Sequence, residues 1–270
     1  RGWRTTLLPV GESGIVSPDA LKDARTDDTA IVSVMHANNE LGTIQPVAEL
    51  AAIARSKGAL FHTDAVQSVA KIPINVRELG VDLLSLSAHK FNGPKGAGAL
   101  WIKRGTRIVP ILTGGKHERT RRAGTENVPA IAGMGVAAER GRAKLGTEAA
   151  GVAALRDRLE REILSRIPGT VVNGAREPRV PNTTNISFDR IEAESLLIAL
   201  DLEGIAVSTG AACSSGTLEP SHVLRAMGLP THRAQNSIRF SLGAGNTDAE
   251  IDYLLEKLPK AVEKLRSLTG

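Results

Sequence analysis

The sequence predicts an α/β protein with a mainly parallel sheet in its first half and a smaller α/β domain toward its C-terminus. Three observations carry that reading. Short apolar runs bounded by turn residues, at Ala59 to Thr63 and Leu83 to Leu86, have the length of buried strands. Between the strand expected at Ala30 to Met35 and the one at Ala59 to Thr63, Val47, Leu50, Ala51 and Ala54 recur at helical spacing, and strand, helix, strand is the order of a parallel crossover. With 270 residues, 41% of them apolar, the chain can bury the core of one large or two ordinary domains.

Taken in order, Ser17 followed by Pro18 reads as an N-cap with proline at the first helical position, opening a short helix. The strand Ala30 to Met35 delivers His36 and Asn38-Asn39-Glu40, and the helix from Pro46 to Lys57 is ended by Gly58. Asp64 then falls at the end of one strand, and Lys90 just beyond the end of the next, before Gly93-Pro94-Lys95-Gly96. Asn39, Asp64 and Lys90 are expected on one edge of one sheet, where open α/β sheets place their ligands. Ala97 to Ile102 is a further strand, and Gly114 to Thr125 reads as an exposed, glycine-rich loop.

Two helices are expected next, Val128 to Lys144, rich in small residues, and Val152 to Arg166, which is amphipathic. A boundary near Gly146 gives domains 1–146 and 147–270. The second contains strands at Val171 and Val172, Asn185 to Phe188 and Ser237 to Ser241, an apolar strand that runs into a small-residue turn over Ile205 to Cys213, and helices at Glu192 to Glu203 and Asp248 to Leu268.

Composition narrows the function. No run reaches the ~20 apolar residues of a membrane span, and Arg1-Gly2-Trp3-Arg4 lacks the apolar core of a signal peptide, so a cytoplasmic protein is expected. A single cysteine excludes an intrachain disulfide framework and a multi-cysteine zinc site. The formal charge of +5 arises from dispersed residues, and aromatics make up 3%, which argues against a nucleic-acid surface. The six histidines show no paired ligand spacing on a helix, and Gly114-Gly115-Lys116 lacks the earlier glycine and following hydroxyl of a phosphate loop. No metal is expected.

The remaining signals are chemical. An acid and a lysine at the ends of neighbouring strands can form an ion pair, or they can serve pyridoxal phosphate, whose aldehyde a lysine holds and whose ring nitrogen a carboxylate keeps protonated. Lys95 is the competing amine, expected to support the turn. Cys213 lies among Thr209, Gly210, Ala211, Ala212, Ser214, Ser215 and Gly216, a small-residue setting that suits an accessible thiol better than a core one. Arg239, on a strand with apolar neighbours, can pair with an acid of the chain or bind a carboxylate through two parallel hydrogen bonds.

Four strings carry a resemblance: His36-Ala37-Asn38-Asn39-Glu40-Leu41-Gly42, Thr63-Asp64-Ala65-Val66-Gln67-Ser68, Ser87-Ala88-His89-Lys90-Phe91-Asn92-Gly93-Pro94-Lys95-Gly96, and Ala212 to Leu224 with Cys213 near its start. In this order they resemble the cysteine desulfurases of the NifS/IscS group, within the fold-type-I enzymes that use pyridoxal phosphate. The resemblance implies that Lys90 holds the cofactor, with Asn39, Asp64, Gln67, Ser87, His89 and Thr125 binding it, Thr125 from the other subunit of a homodimer. It implies that Arg239, assisted by Asn39, holds the carboxylate of L-cysteine, and that the Cys213 thiolate takes the sulfur and leaves alanine. The acceptor of that sulfur would be an iron-sulfur scaffold or a thiolation protein. In the resembled family a long N-terminal segment with a phosphate-binding turn and a ring-stacking histidine precedes the position matching Arg1, and these are expected outside the 270 residues. Two alternatives stand beside this reading: a selenocysteine lyase or related aminotransferase-like enzyme, and an interaction partner that has lost the cofactor.

Overall fold

A computed structural model describes residues 2–210 and 220–269. The chain divides into two compact units, one formed by residues 25–36 and 47–145, the other by residues 1–24, 37–46 and 146–270.

The first unit is built on four strands, β1 (Ile31–Ser33), β2 (Leu60–Asp64), β3 (Leu83–Ser87) and β4 (Gly98–Ile102), ordered β1-β2-β3-β4. The first two pairings are parallel and the last is antiparallel. The expected helix is present as Val47–Arg55, with Val47, Leu50, Ala51 and Ala54 buried. Gly58, at φ +79°, lets the chain turn back into β2. Parallel pairing runs past β1, since Val34 N–H donates to His62 C=O at 3.1 Å and His36 N–H to Asp64 C=O at 2.8 Å. Between β2 and β3 the structure adds a one-turn helix, Val76–Leu79, that the periodicity did not signal. Asn75 caps it through its side chain, and Gly80 ends it in the left-handed conformation.

The stretch Val128–Arg166 is one continuous helix, not two. Gly146, read as the break, and Gly151 both sit inside it with no atom near the space a Cβ would fill. A glycine costs a helix interior only about 1 kcal/mol relative to alanine, too little to break a helix flanked by good formers on both sides.

The second unit contains an antiparallel sheet, β5 (Thr170–Val172), β6 (Thr183–Phe188) and β7 (Ser237–Ser241), in that order. Its core gathers Leu159 and Ile163 from the long helix, Ile186 and Phe188 from β6, Ile238 and Phe240 from β7, Leu196 and Leu200 from the helix Ala193–Asp201, and Leu258 from the closing helix Asp248–Thr269. The strand expected from Ile205 onward is reduced, among the described residues, to a single bridge between Ser208 and Arg239. Ile205 N–H is taken by the helix carbonyl of Leu200, and Ser208 Oγ turns onto the Gly210 carbonyl, which leaves little backbone free for a ladder.

Candidate active site

The residues expected to hold the cofactor are presented by the first unit at the C-terminal ends of β2 and β3. Asp64 is the last residue of β2, and its Cα partner across the sheet is Ser85. Its carboxylate is exposed, accepting the Val66 N–H at 2.8 Å, while its carbonyl accepts His36 N–H. The next N–H, from Ala65, is bonded to Ser85 C=O at 2.9 Å. The strand end is fixed on both sides, so the carboxylate is aimed by backbone rather than by its own torsions alone.

After β3 the chain enters a single 3₁₀ turn, Ala88–Phe91. In such a turn residues three apart share a side. Ala88 is fully buried and Phe91 is 6% exposed, so His89 and Lys90, between them, face solvent. Asn92 closes the turn at φ +64°, and Gly93 follows where a Cβ would lie 2.9 Å from Ala88 Cβ and 3.0 Å from its carbonyl oxygen. Ser87 Oγ and His89 Nδ1 are 2.8 Å apart.

The turn is backed by the first part of the long helix. Ala130 and Ala137 pack with Ala88, Phe91 and Ala97 in one apolar cluster. Small residues set this close approach: a Cβ on Gly133 would meet the Pro94 ring at 3.1 Å, and one on Gly141 would meet Ala70 Cβ at 2.6 Å. The helix expected to pack tightly therefore packs directly behind the lysine turn.

Gln67, half-buried, accepts a hydrogen bond from Lys71 Nζ at 2.9 Å, and Thr125 is exposed in the loop before the long helix. Lys95 is exposed in the turn that follows.

Two histidines of this unit were given no role by the sequence. His62 shares a sheet face with Asp64, two residues on, and its ring bridges three strands, with Nδ1 2.8 Å from Ser33 Oγ and Nε2 3.1 Å from Ser85 Oγ. Burial pushes its pKa down, and the Asp64 charge works the other way. His36 Nδ1 lies 2.9 Å from Ser68 Oγ in a buried setting that also lowers its pKa. The available signal was the alternation His62, Asp64 along one strand, which places both on one face.

The second unit holds Asn39 and Arg239. Asn39 follows the end of β1, in the stretch 37–46 that groups with the second unit. There Asn38 Oδ1 accepts the N–H groups of Glu40 and Leu41 at 2.8 and 3.0 Å, and Asn38 N–H donates to Thr43 C=O. Gly42, at φ +81°, completes this turn at a place where a Cβ would meet Thr183 and Val180 at 3.2 Å. Arg239 and Asn185 are opposite each other on β7 and β6. Arg239 Nη1 donates to Asn39 C=O at 3.2 Å, and Asn185 Nδ2 to Glu40 C=O at 3.4 Å. A half-buried guanidinium is thereby tied to the backbone beside Asn39. Cys213 lies outside the described residues.

The donor set of the first unit suits pyridoxal phosphate. A primary amine, a carboxylate, a hydroxyl with an imidazole, and a primary amide project from the ends of two adjacent parallel strands. Those groups match an aldehyde, a ring nitrogen, a phosphate and a phenolic oxygen.

The comparisons with known proteins agree. The family model Aminotransferase class-V matches residues 1–254. Cysteine desulfurase IscS of Dictyoglomus turgidum is 52% identical over 268 residues, which are 99% of this chain and 68% of the relative. A protein of the same name from Methanosarcina thermophila is 50% identical over 269 residues, all of this chain and 66% of the relative. Among solved structures, a NifS-like protein superposes with a TM-score of 0.89 at 38% identity, covering 98% of this chain and 69% of that one. The chain thus spans about two thirds of the length of these relatives, and its fold is that of the fold-type-I enzymes.

Proposed function

Because the chain belongs to the aminotransferase class-V family, in which pyridoxal phosphate is the cofactor, we propose that it is a cysteine desulfurase converting L-cysteine to L-alanine. The observation that carries the reading is the 3₁₀ turn that buries Ala88 and Phe91 and turns Lys90 outward beside the strand ending in Asp64.

Lys90 would hold the cofactor through its amine and, once released by substrate, move protons to and from the substrate carbons. Asp64 would keep the ring nitrogen protonated; Ser87 and His89 would receive the phosphate, Gln67 the phenolic oxygen, and Thr125 the phosphate of the opposite subunit in a homodimer. When bound, the cofactor supplies an electron sink for charge developing on the substrate. Arg239 and Asn39 would fix the substrate carboxylate, leaving its sulfur to the Cys213 thiolate. That thiolate forms an S–S bond to the substrate sulfur as the carbon–sulfur bond breaks. The carbon fragment takes a proton and leaves as alanine, and Cys213 keeps the sulfur as a persulfide for an acceptor, an iron-sulfur scaffold or a thiolation protein. The reading places this chemistry in the cytoplasm.

Borohydride reduction followed by peptide mapping tests the central geometry. The pyridoxyl group is expected on Lys90, with alanine and Cys213-bound sulfane sulfur formed in equal amounts from L-cysteine. A label on Lys95, or turnover of selenocysteine without turnover of cysteine, would overturn the reading.

A further inference from the structure

The antiparallel sheet of the second unit has one apolar face and one polar face, and the polar face is buried too. Ile186, Phe188, Ile238 and Phe240 point into the core, so Asn185, Ser187, Ser237 and Arg239 lie on the opposite face, Asn185 paired with Arg239 and Ser187 with Ser237. Asn173, just past the end of β5, joins them, and Asn173, Asn185, Ser187 and Ser237 are each 5% exposed or less. Polar groups this deeply buried need hydrogen bonds, and those bonds fix which way each amide faces.

The orientation starts from Arg233, on the helix Thr231–Gln235. A guanidinium can only donate. Its Nε and Nη2 meet Asn173 at 3.1 and 2.8 Å, so the atom they meet is the amide oxygen, Oδ1. The amide nitrogen of Asn173 then faces the other way, 2.7 Å from Asn185, and the Asn185 atom that receives it is again the oxygen. Ser187 Oγ and Ser237 Oγ, at 2.8 and 3.0 Å, share the same nitrogen. Asn185 Nδ2 is thereby turned toward the Glu40 carbonyl, 3.4 Å away, while Arg239 Nη1 donates to the Asn39 carbonyl at 3.2 Å. Two consecutive carbonyls of the turn are held by two side chains that are partners across β6 and β7, and the direction of one is set by a guanidinium two residues removed from it in the network. With Asn185 reversed, two oxygens would face one another at Glu40.

We propose that Arg233 is a positioning residue for the substrate carboxylate: through Asn173 it fixes the direction of the Asn185 amide and so keeps the turn carrying Asn39 against Arg239. The proposal rests on the desulfurase reading for its purpose but not for its direct test. Asn173→Asp separates such a relay from simple packing. A carboxylate there accepts Arg233 at least as well as the amide does, but it has no N–H for Asn185. Asn185 must then turn its own N–H toward residue 173 and its oxygen toward Glu40.

Phenylglyoxal labelling of arginines, followed by mass mapping of the peptide containing Arg239, reads the guanidinium without substrate. The parent protein is compared with Arg233→Met, Arg233→Lys, Asn173→Asp and Ile251→Val, the last a core change in the same unit that controls for lost stability. Labelling of Arg239 should quicken about tenfold in Arg233→Met and Asn173→Asp, the scale of one lost buried hydrogen bond. It should return toward the parent rate in Arg233→Lys, whose ammonium also only donates. In steady state, KM for L-cysteine should rise about tenfold in the same two variants while kcat stays within about threefold, the pattern of weakened substrate binding. Parent-like labelling and KM in Asn173→Asp, no recovery in Arg233→Lys, or an equal effect of Ile251→Val would overturn the proposal. If Asn173→Asp does not fold, the Arg233→Met and Arg233→Lys pair decides alone. A parent protein that makes no alanine refutes the desulfurase reading, while the labelling pattern still decides the role of Arg233.

Discussion

Substituting Gly141 by alanine probes how closely the long helix must approach the layer that backs the lysine turn. The new Cβ would lie 2.6 Å from Ala70 Cβ, far inside contact distance, and the obstacle is a short side chain on backbone that cannot swing away. Helix propensity favours alanine by about 1 kcal/mol. Overpacking a close-packed contact costs about 1–3 kcal/mol. The single variant should therefore lose up to about 2 kcal/mol in urea unfolding, read as a lower midpoint at unchanged slope. Ala70 itself sits at φ +58°, so Ala70→Gly removes both the obstructing methyl and a left-handed alanine. That relief, about 1 kcal/mol, is offset by the greater freedom of glycine in the unfolded chain, leaving the single change near neutral. In the double variant the clash is gone and the propensity gain remains, so stability should return to or pass the parent value. The coupling energy should be about 1–3 kcal/mol. Additivity within about 0.5 kcal/mol, or a Gly141→Ala variant more stable than the parent by the full propensity gain, would refute the reasoning.

Three further outcomes are expected. Asp64→Asn should keep its cofactor, measured by absorbance and mass, yet lose at least about 3 kcal/mol of transition-state stabilisation, roughly a hundredfold or more in kcat; an active variant would remove the carboxylate from the site. Stability should fall on acidification. His36, buried, and His62, half-buried, are held below their ordinary value of 6.5, so the unfolded chain takes up protons first as the pH drops through that value, and stability present above it is lost. Glu160 adds a second loss at lower pH. Burial would raise its pKa, but hydrogen bonds from Arg179 and Thr184, with the charges of Arg179 and Arg156, outweigh burial and lower it. Its contribution is present above the ordinary value of 4.5 and disappears as the pH falls through the depressed one. Glu160→Gln should flatten the lower part of a pH-stability curve and leave the upper part; an unchanged curve would contradict the assignment. Phe91→Ala, which empties the anchor of the lysine turn, should cost about 3–5 kcal/mol in chemical unfolding, and a loss below about 1 kcal/mol would mean the turn is not held by that side chain.

The parts of the molecule legible in the sequence are those where local pattern and tertiary demand coincide. Val47, Leu50, Ala51 and Ala54 announced a helix and are the residues it buries. The run Leu83 to Leu86 announced a strand because it is covered, and the lysine followed where a strand must end. Four features were not legible for physical reasons. Gly146 looked like punctuation, but a helix tolerates glycine when the turns on either side are strong. Ile205 to Val207 has strand composition, yet its pairing was decided by a remote partner, Arg239, which supplies one bridge. The histidine rings at positions 36 and 62 are engaged by serines 29 and 32 residues away in the chain, a relation that no window of sequence contains. Glu40 lay inside a quoted motif, but nothing in the motif announces that its carboxyl accepts the hydroxyl of Ser221, 181 positions later.

The proposed sulfur transfer is tested most directly by Cys213→Ser, assayed for cofactor content, the absorbance change on adding L-cysteine, alanine release and protein-bound sulfane sulfur. Because the thiol acts only after substrate has engaged the cofactor, the variant should bind pyridoxal phosphate, show the absorbance change, release no alanine above background and carry no sulfane sulfur. Alanine release at the parent rate from Cys213→Ser, with the acceptor still sulfurated, would contradict the account.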